Sequence, residues 1–371
     1  MTTILLAILL AAQQFHVTPA PEWDALFDRN SGWTGADGIY SIPLDGDDRA
    51  GGLARTDTLF LFSDTFVGDV LPNGTRQNTV MINTSLAFLP RGSFPSGMRF
   101  WYPAPAGQPA AAFLPQTPNA QPGEWYWPHD GIALGGTVHL FVQRFRSHGQ
   151  GNFAFQRTGL AMIELPPGSR PPFAGAVQRD CPFFLPATAQ RAEMVFGVGI
   201  LANTVEAGAP FPDGYLYLYG LREDPYVKKL LCARVLPAEL LNFSAWRFWD
   251  GAAWNSDPER SEVLTGRVSS ELSMTPLPDG RFLLVYQQDT LSDRVVAKIA
   301  QSPIGPFDEA IELYQCPLPS NPQVWSYNAK AHPHLSGPRE LLISYNVNAV
   351  DFWDHFRYAD IYRPRFIRVS W

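Results

Sequence analysis

Two neighbouring segments decide the fold: Gly35-Ala-Asp-Gly-Ile-Tyr-Ser-Ile-Pro43 and Thr58-Leu-Phe-Leu-Phe-Ser-Asp-Thr-Phe66. The first has a polar residue near its start, and the second is strongly apolar. A third segment with alternating character, Thr79–Phe88, completes a three-part unit. The same unit recurs four times, because comparable triplets of strand-like segments begin at Trp127, Met194, Ser270 and Asn328.

Short apolar or alternating segments bounded by turn residues are typical of antiparallel strands. The dipeptides Gly135-Gly136, Asp213-Gly214 and Asp279-Gly280 stand where hairpin turns would join them. Serial repetition of one such unit indicates a propeller rather than a sandwich. The sequence therefore predicts an all-β, five-bladed β-propeller that forms a single domain over residues 21–371. Residues 237–242 predict only one short turn of helix.

Composition excludes several classes of protein. The 371 residues are 46% hydrophobic and 17% charged, which is typical of a globular chain. The net charge of −7 and the lack of a basic run argue against nucleic acid as a partner. A neutral polysaccharide or oligosaccharide is compatible with this charge, and we expect a monomer.

The N-terminal run from Met1 to Ala12 is apolar. It is too short to span a bilayer and resembles the core of a signal peptide, so residues 1–20 are expected to be a signal peptide and leader. A secreted or periplasmic protein follows; the alternative is a buried first strand or helix. No later segment predicts a membrane span. The three cysteines, Cys181, Cys232 and Cys316, fit either one disulfide plus a thiol or three buried thiols.

In a propeller the first strand of each blade lines the central axis, so matching positions of different blades converge. The matching positions hold three acids and a histidine: Asp37, Asp130, Glu271 and His332. The third unit has Gly197 or Val198 there, with Glu193 just upstream. Clustered carboxylates repel one another and cost stability, which favours a functional site. The alternative is that each aspartate simply caps a turn.

Paired carboxyl groups, one protonated and one ionised, are the apparatus of glycoside hydrolysis. Asp37, Asp130, Glu271 and Glu193 are the candidate catalytic residues. His332 could orient water or ligate an axial metal ion; alternatively, it is a channel-lining histidine held by hydrogen bonds.

Aromatic residues precede the candidate acids. Trp33 precedes Asp37, Trp125 and Trp127 precede Asp130, and Trp325 precedes His332. Such rings suit the apolar faces of sugars, although packing within the core is the commoner role. Asp64 could support the site from a second strand. Arg267 could bind substrate or pair with a carboxylate, the alternative being a surface salt bridge.

The chain resembles a group of secreted five-bladed propellers, largely of unknown function, that includes bacterial endo-D-arabinanases. The similar segments are Gly35-Ala-Asp-Gly-Ile-Tyr-Ser, Leu61-Phe-Ser-Asp-Thr-Phe, Ser270-Glu-Leu-Ser, Asn328-Ala-Lys-Ala-His-Pro and Leu342-Ile-Ser-Tyr-Asn-Val-Asn. They spread from about Trp33 to the C-terminus. The resemblance implies activity on a furanose- or pentose-containing polysaccharide.

More distantly, the arrangement resembles arabinanase and β-xylosidase propellers, which use a base, a pKa modulator and an acid. That resemblance implies Asp37 as base and Asp130 as modulator. It leaves the acid open between Glu193 on the third unit and Glu271 on the fourth. It also implies a histidine near an axial cation, so His332 could accompany a structural Ca²⁺; no other cofactor is expected.

Three functions compete on these residues. The first is a glycoside hydrolase that uses carboxylate acid/base catalysis. The second is a non-catalytic propeller that binds a glycan or a protein. The third, a metal-dependent hydrolase, is disfavoured because the chain has only 7 histidines and no paired ligand motif.

Overall fold

The computed structural model describes residues 15–151 and 153–371. The apolar run from Met1 to Ala12 that was expected to be a signal peptide lies outside the described residues. His16–Pro19, within the expected leader, is a strand that pairs with the last strand of the chain.

Within the described residues the regular secondary structure consists mainly of 26 strands. The first thirteen are β1 (His16–Pro19), β2 (Ser31–Ala36), β3 (Tyr40–Pro43), β4 (Thr58–Phe62), β5 (Thr65–Val70), β6 (Arg76–Ile82), β7 (Ser85–Leu89), β8 (Arg99–Trp101), β9 (Trp125–Leu134), β10 (Thr137–Ser147), β11 (Phe155–Leu165), β12 (Val177–Cys181) and β13 (Phe184–Leu185). The others are β14 (Glu193–Asn203), β15 (Tyr215–Asp224), β16 (Val227–Val235), β17 (Arg247–Trp249), β18 (Trp254–Asn255), β19 (Thr265–Val268), β20 (Leu272–Pro276), β21 (Phe282–Gln287), β22 (Arg294–Ala300), β23 (Ile311–Gln315), β24 (Val324–Ala331), β25 (Glu340–Ala349) and β26 (Arg365–Ser370).

Helices are short. They are α1 (Pro21–Phe27), α2 (Gly52–Arg55), α3 (Asp354–Arg357) and the 3₁₀ turns Pro105–Gly107, Pro237–Glu239, Phe243–Ala245, Pro258–Arg260 and Pro333–Leu335. The turn at Pro237 confirms the one short helical turn predicted there. None of the helices in the described part of the chain has the length and apolar character that a membrane crossing needs.

Across the described ranges, the strands assemble into six antiparallel sheets. Five of these sheets have four or more strands, in the orders β3-β4-β7-β8, β12-β11-β10-β9, β13-β14-β15-β16-β17-β18 with β19 on β16, β20-β21-β22-β23, and β1-β26-β25-β24. The sixth is the small sheet β2-β5-β6. The all-β prediction is confirmed.

The five larger sheets meet through their first long strands. Contacts link β3 with β9, β9 with β14, β14 with β20, and β20 with β24. The ring closes between the last sheet and the first, where Ser41 Oγ lies 2.7 Å from Nδ1 of His332 and Thr58 Oγ1 lies 3.1 Å from Nε2 of His334. Segments distant in sequence therefore come together at one axis.

Local sequence accounts for these strands. All five residues of β4 and all six of β21 are buried, since strands in the middle of stacked sheets are covered on both faces. The predicted hairpin at Gly135-Gly136 joins β9 to β10, with φ of +57° and +84° as a tight two-residue turn requires. All three cysteines are free and buried, which matches the second alternative for them.

The first unit differs from its predicted form. Its first segment is divided between β2 and β3, and its third between β6 and β7. The division occurs at Gly38, whose φ of +62° breaks the extended conformation. An alanine Cβ there would lie 2.5 Å from Oγ of Ser63. The sequence repeat did not predict this small sheet. Its paired strands β2 and β5 place Asp37, which follows β2, next to Asp64, which precedes β5.

Candidate active site

Asp37 lies in the turn between β2 and β3, beside the axis where the larger sheets meet. Its backbone N–H donates to the carbonyl of Asp64 at 3.2 Å, and its carbonyl accepts from Ser63 N–H at 2.9 Å. Oδ2 of Asp37 accepts hydrogen bonds from the hydroxyls of Tyr327, at 2.7 Å, and Tyr362, at 2.8 Å. Burial and the nearby charge of Asp64 raise the pKa of Asp37 to about 8.

Asp64 follows β4 and is held beside Asp37 by those two backbone hydrogen bonds. Its Oδ1 accepts from Nδ2 of Asn83 at 2.9 Å and from the indole Nε1 of Trp127 at 2.7 Å. Burial raises the pKa of Asp64 to about 6, although these two donors oppose the rise. Asp64 therefore contacts an aromatic side chain of the second sheet, so an acid and an aromatic ring lie side by side here.

Glu271 immediately precedes β20 and reaches the same place from the fourth large sheet. With its amide nitrogen toward Glu271, Asn328 donates to Oε2 at 2.5 Å and accepts from Gly38 N–H at 3.2 Å. One amide therefore links Glu271 to the residue next to Asp37. Burial raises the pKa of Glu271 to about 7, while the charges of Lys228 and Lys330 oppose the rise.

Asp37, Asp64 and Glu271 form one cluster, called here the carboxyl cluster. Each is partly accessible, and the charges of Asp64 and Glu271 both raise the pKa of Asp37. Groups whose pKa values are shifted toward neutrality by burial and by one another are characteristic of acid/base sites. Two surface clefts, of about 470 and 680 Å³, contain none of the three residues.

Asp130 reaches the axis from β9 but has a different environment. Its Oδ2 accepts from Nζ of Lys330 and from Ile200 N–H, each at 2.8 Å, and its Oδ1 accepts from Gly131 N–H at 3.0 Å. The ammonium of Lys330 also lies 4.8 Å from the ring centroid of Tyr40. Asp130 is thus a fully bonded partner of a buried cation, adjacent to the carboxyl cluster.

Glu193 begins β14 and is engaged by Arg157. Arg157 also contacts Glu223 at 3.0 Å, and Glu223 in turn contacts Lys228 at 3.1 Å. Burial raises the pKa of Glu193, but the charge of Arg157 opposes the rise. Since Lys228 and Glu223 both influence the pKa of Glu271, this ion-pair network borders the carboxyl cluster.

The tryptophans divide into two groups. Trp127 packs on Phe145 and Phe155, with ring centroids 4.4 and 4.7 Å apart, and Trp125 lies 5.8 Å from Trp127. Trp325 is 6.1 Å from the exposed ring of Phe153. These rings form an aromatic wall beside Asp64.

Trp33, also expected to bind substrate, belongs to the core instead. Only 1% of it is exposed, and it packs on Phe62 and Phe100 with centroids 5.2 and 4.5 Å away. Its indole N–H donates to Oγ of Ser85 at 3.2 Å. Trp33 precedes Asp37 by four residues within a strand, and the turn after β2 directs the two side chains to different places.

His332 is fully buried, with Nδ1 2.7 Å from Oγ of Ser41 and Nε2 2.8 Å from Oγ of Ser344. This arrangement matches the alternative of a histidine held by hydrogen bonds. Its neighbours do not fit Ca²⁺, which prefers several oxygen ligands, because both ring nitrogens are bonded to serine hydroxyls. Burial and the positive charge of Lys330 lower the pKa of His332 well below its usual value. In the described part of the chain, no three His, Cys, Asp or Glu side chains are grouped to hold a metal.

Arg267 lies outside the carboxyl cluster. Its guanidinium makes two hydrogen bonds to Asp289, of 2.8 and 2.5 Å, and its side chain is 62% exposed. This is the surface salt bridge that was the alternative for Arg267.

Sequence reasoning did not single out three residues that hydrogen-bond to the cluster, Tyr327, Tyr362 and Asn328. It also missed three residues around it: Lys330, which bonds to Asp130, Phe145, which packs on Trp127, and His129. Burial and the charge of Arg157 lower the pKa of His129 to about 3, and its Nδ1 lies 3.3 Å from the hydroxyl of Tyr40. Asn328 and Lys330 fall within the quoted segment Asn328-Ala-Lys-Ala-His-Pro, so a signal existed for them. Nothing in the sequence pointed to Tyr362, which lies in a loop.

Comparison with known proteins places the chain in a family. A family model described as "Domain of unknown function (DUF5005)" matches residues 21–371. The chain belongs to the DUF5005 family. Among curated proteins, none matches the sequence significantly.

One solved structure shows that this DUF5005 chain shares its fold with another protein. A provisionally assigned hydrolase from Bacteroides ovatus ATCC 8483 superposes with a TM-score of 0.73 at 20% identity, over 96% of this chain and 90% of that one. An α-L-arabinofuranosidase from Podospora anserina gives a TM-score of 0.47 at 12% identity, over 91% and 98% of the two chains. One from Lactobacillus brevis gives 0.46 at 14% identity, over 91% of each. At these identities the first likeness shows the fold alone.

Proposed function

We propose that this protein is a glycoside hydrolase that acts on a furanose- or pentose-containing polysaccharide. We also propose that its five larger sheets are the blades of a five-bladed propeller. The observation that carries the function is the carboxyl cluster: Asp37, Asp64 and Glu271 lie together, partly accessible, with pKa values raised to about 8, 6 and 7. The ring of contacts between first strands supports the propeller.

Asp37 and Asp64 share a proton in this proposal. The charge of one raises the pKa of the other, so the two titrate as a pair. Because the pKa of Asp37 is about 8 and that of Asp64 about 6, the proton rests mostly on Asp37. The reactive form is the minority one, in which Asp64 holds the proton and Asp37 is an anion that receives hydrogen bonds from two tyrosine hydroxyls. In that form Asp37 can accept a proton from a water molecule or attack the anomeric carbon.

Glu271 is the proposed acid. With a pKa of about 7, about half of Glu271 carries its proton at neutral pH. It would protonate the glycosidic oxygen as the bond from that oxygen to the anomeric carbon breaks. When Asp37 activates water, that water supplies the hydroxyl of the new reducing end and passes its proton to Asp37. When Asp37 attacks directly, water later displaces it from the glycosyl ester and passes its proton to Glu271. Retention or inversion at the anomeric carbon follows from whether Asp37 attacks directly or through water.

Asp130 and Glu193 are assigned supporting roles. Asp130 modulates Glu271 through Lys330, since Lys330 is bonded to Asp130 and opposes the rise in the pKa of Glu271. Glu193 is engaged by Arg157, and that pairing favours its ionised form. Glu271 is therefore preferred over Glu193 as the acid.

The substrate class rests on the resemblance of the quoted segments to those of endo-D-arabinanases. The aromatic wall of Trp125, Trp127 and Trp325 would supply stacking surfaces for sugar rings. Action on an extracellular or periplasmic polysaccharide agrees with the export expected from the N-terminal run.

Incubation with arabinan, xylan and fructan, followed by analysis of the released sugars, tests the proposal. The wild type and the control Glu312→Gln, a surface position on the same sheet as Glu271, should release products from one of them. Asp37→Asn and Glu271→Gln should release none while keeping native circular dichroism. Full activity in both variants would refute the assignment. Binding without hydrolysis by the wild type would favour a glycan-binding propeller instead.

A further inference from the structure

The two carboxylate oxygens of Asp37 differ in their hydrogen bonding. Oδ2 receives both tyrosine hydroxyls, at 2.7 and 2.8 Å. Oδ1 is buried, and within the described residues it has no hydrogen-bond partner. A buried carboxylate oxygen without a partner is costly in a folded protein unless a ligand or water completes it.

Side chains of the last sheet hydrogen-bond to the turn that carries Asp37. Asn346 Nδ2 donates to the carbonyl of Ala36 at 3.0 Å, and Asn328 accepts from Gly38 N–H at 3.2 Å. Together with the tyrosines, three consecutive residues of the first unit are therefore fixed by side chains of the last. These contacts position the turn more tightly than ring closure alone requires.

Each tyrosine is itself held. Nδ2 of Asn348 donates to the Tyr327 hydroxyl at 3.1 Å, from the neighbouring strand β25. Tyr362 has φ of +75°, a conformation that is strained for a bulky side chain. Such strain persists only where surrounding contacts enforce it, and it is concentrated at functional sites.

Arg76 enforces the position of the loop before Tyr362. Its guanidinium is buried and donates to the carbonyls of His355, Ala359 and Ile361. It also lies 4.8 Å from the ring centroid of Phe66, whose ring is 5.2 Å from that of Tyr362. A buried guanidinium that bonds three backbone carbonyls holds this loop in place, and it thereby fixes the Tyr362 hydroxyl against Asp37.

We propose that Tyr327 and Tyr362 are positioning residues that hold Oδ2 of Asp37 and so fix the orientation of its carboxylate, with Oδ1 left as the oxygen that has no partner among the described residues. This inference rests on the proposed function, because it names Asp37 as the base or nucleophile. The two hydroxyls set the orientation of the carboxylate plane and stabilise its negative charge. Neither tyrosine needs to touch the substrate.

The groups that face Asp37 determine what the tyrosines do to its titration. Asp64, Glu271 and burial raise the pKa of Asp37, whereas the hydroxyls of Tyr327 and Tyr362 lower it. Tyr40, from β3, is also within reach of the charge of Asp37. Removing one hydroxyl therefore removes a stabilising donor from the ionised form, and the pKa of Asp37 must rise.

Nuclear magnetic resonance of protein labelled with ¹³C at the aspartate carboxyl carbons tests this directly. The Asp37 signal is identified by its loss in Asp37→Asn. In Tyr327→Phe and in Tyr362→Phe its titration midpoint should move upward by about one pH unit. The control Tyr345→Phe removes a buried hydroxyl from β25 in the same sheet, and it should leave the midpoint in place.

An unchanged midpoint in both tyrosine variants, or an equal shift in Tyr345→Phe, would overturn the inference. Thermal unfolding of each variant shows that the fold is intact. On the substrate identified above, the acidic limb of kcat/KM should shift upward with the titration, and kcat should fall more than KM rises. A protein that hydrolyses no sugar contradicts the proposed function, whereas the carboxyl titration decides the role of the tyrosines by itself.

Discussion

Nζ of Lys330 lies 2.8 Å from Oδ2 of Asp130, and less than a tenth of either side chain is exposed. This pair joins the last large sheet to the second across the ring. A buried ion pair contributes little net stability, but breaking one leaves an uncompensated charge in the interior. Lys330 also influences the carboxyl cluster, because its charge opposes the rise in the pKa of Glu271.

Lys330→Met should lower the free energy of unfolding by about 3 kcal/mol, because Asp130 then remains buried and charged. The pKa of Glu271 should rise, so the alkaline limb of any activity profile moves to higher pH. Urea unfolding and kcat/KM against pH measure the two effects. In the double variant Asp130→Asn/Lys330→Met most of the lost stability should return, whereas the shifted limb should persist. A double variant as unstable as the single one would contradict this account of the pair.

Glu271→Gln should be more stable than the wild type at pH 8. The folded-state pKa of Glu271 is raised to about 7, above its value in the unfolded chain. Its protonated form therefore favours folding at low pH, and that contribution is lost as pH rises through 7. The variant escapes the loss, so its free energy of unfolding should exceed that of the wild type by about 2 kcal/mol at pH 8 and by almost nothing at pH 4. An equal difference at both values would count against the burial of this carboxyl group.

Asp64→Asn should lower the pKa of Asp37, since it removes the charge that raises it most. The carboxyl titration of Asp37 should move downward by about one pH unit, and the acidic limb of activity should move with it. The matched control is Asp69→Asn, on β5, where the carboxylate receives only an exposed hydrogen bond from Asn78. A shift of the same size in the control would show that the effect is not specific to the cluster.

Trp127 has two separable contributions, its ring and its indole N–H. Trp127→Ala should weaken binding of an oligosaccharide about tenfold in the inactive Asp37→Asn background, as measured by calorimetry. Trp127→Phe should keep most of the affinity, yet it should raise the pKa of Asp64 because the donor to Oδ1 is lost. Trp249→Ala, in the outer strand β17 of another sheet, serves as the control. Unchanged affinity in Trp127→Ala would remove this ring from the binding surface.

Part of the candidate site could be predicted because equivalent positions of a repeat share a place in the fold. Asp37 and Glu271 were found in this way, and the structure brings them together. Trp33 was not placed correctly by the same reasoning, because a positive φ at Gly38 separates its strand from the one that follows. Local deviations of this kind leave no trace in a strand pattern.

Functional residues in loops could not be predicted from the repeated strand pattern. Tyr362 is 325 positions from Asp37 in sequence, and it belongs to no strand. Its role depends on a strained loop held by Arg76, which sits in the small sheet that the repeat did not predict. For Asp130 the sequence predicted the position but not the role. Its ion pair with Lys330, which makes it a counter-ion, is visible only in the structure.

By itself the sequence determined the all-β class, the repeated strands and the convergence of acids, because alternation, turn dipeptides and repetition are local properties of a chain. Only the tertiary structure decided which acids lie close together, which carboxylate is paired with a lysine and which tryptophan is buried in the core. The physical reason is that pKa values and accessibility depend on distances between segments, and these are set by sheet packing.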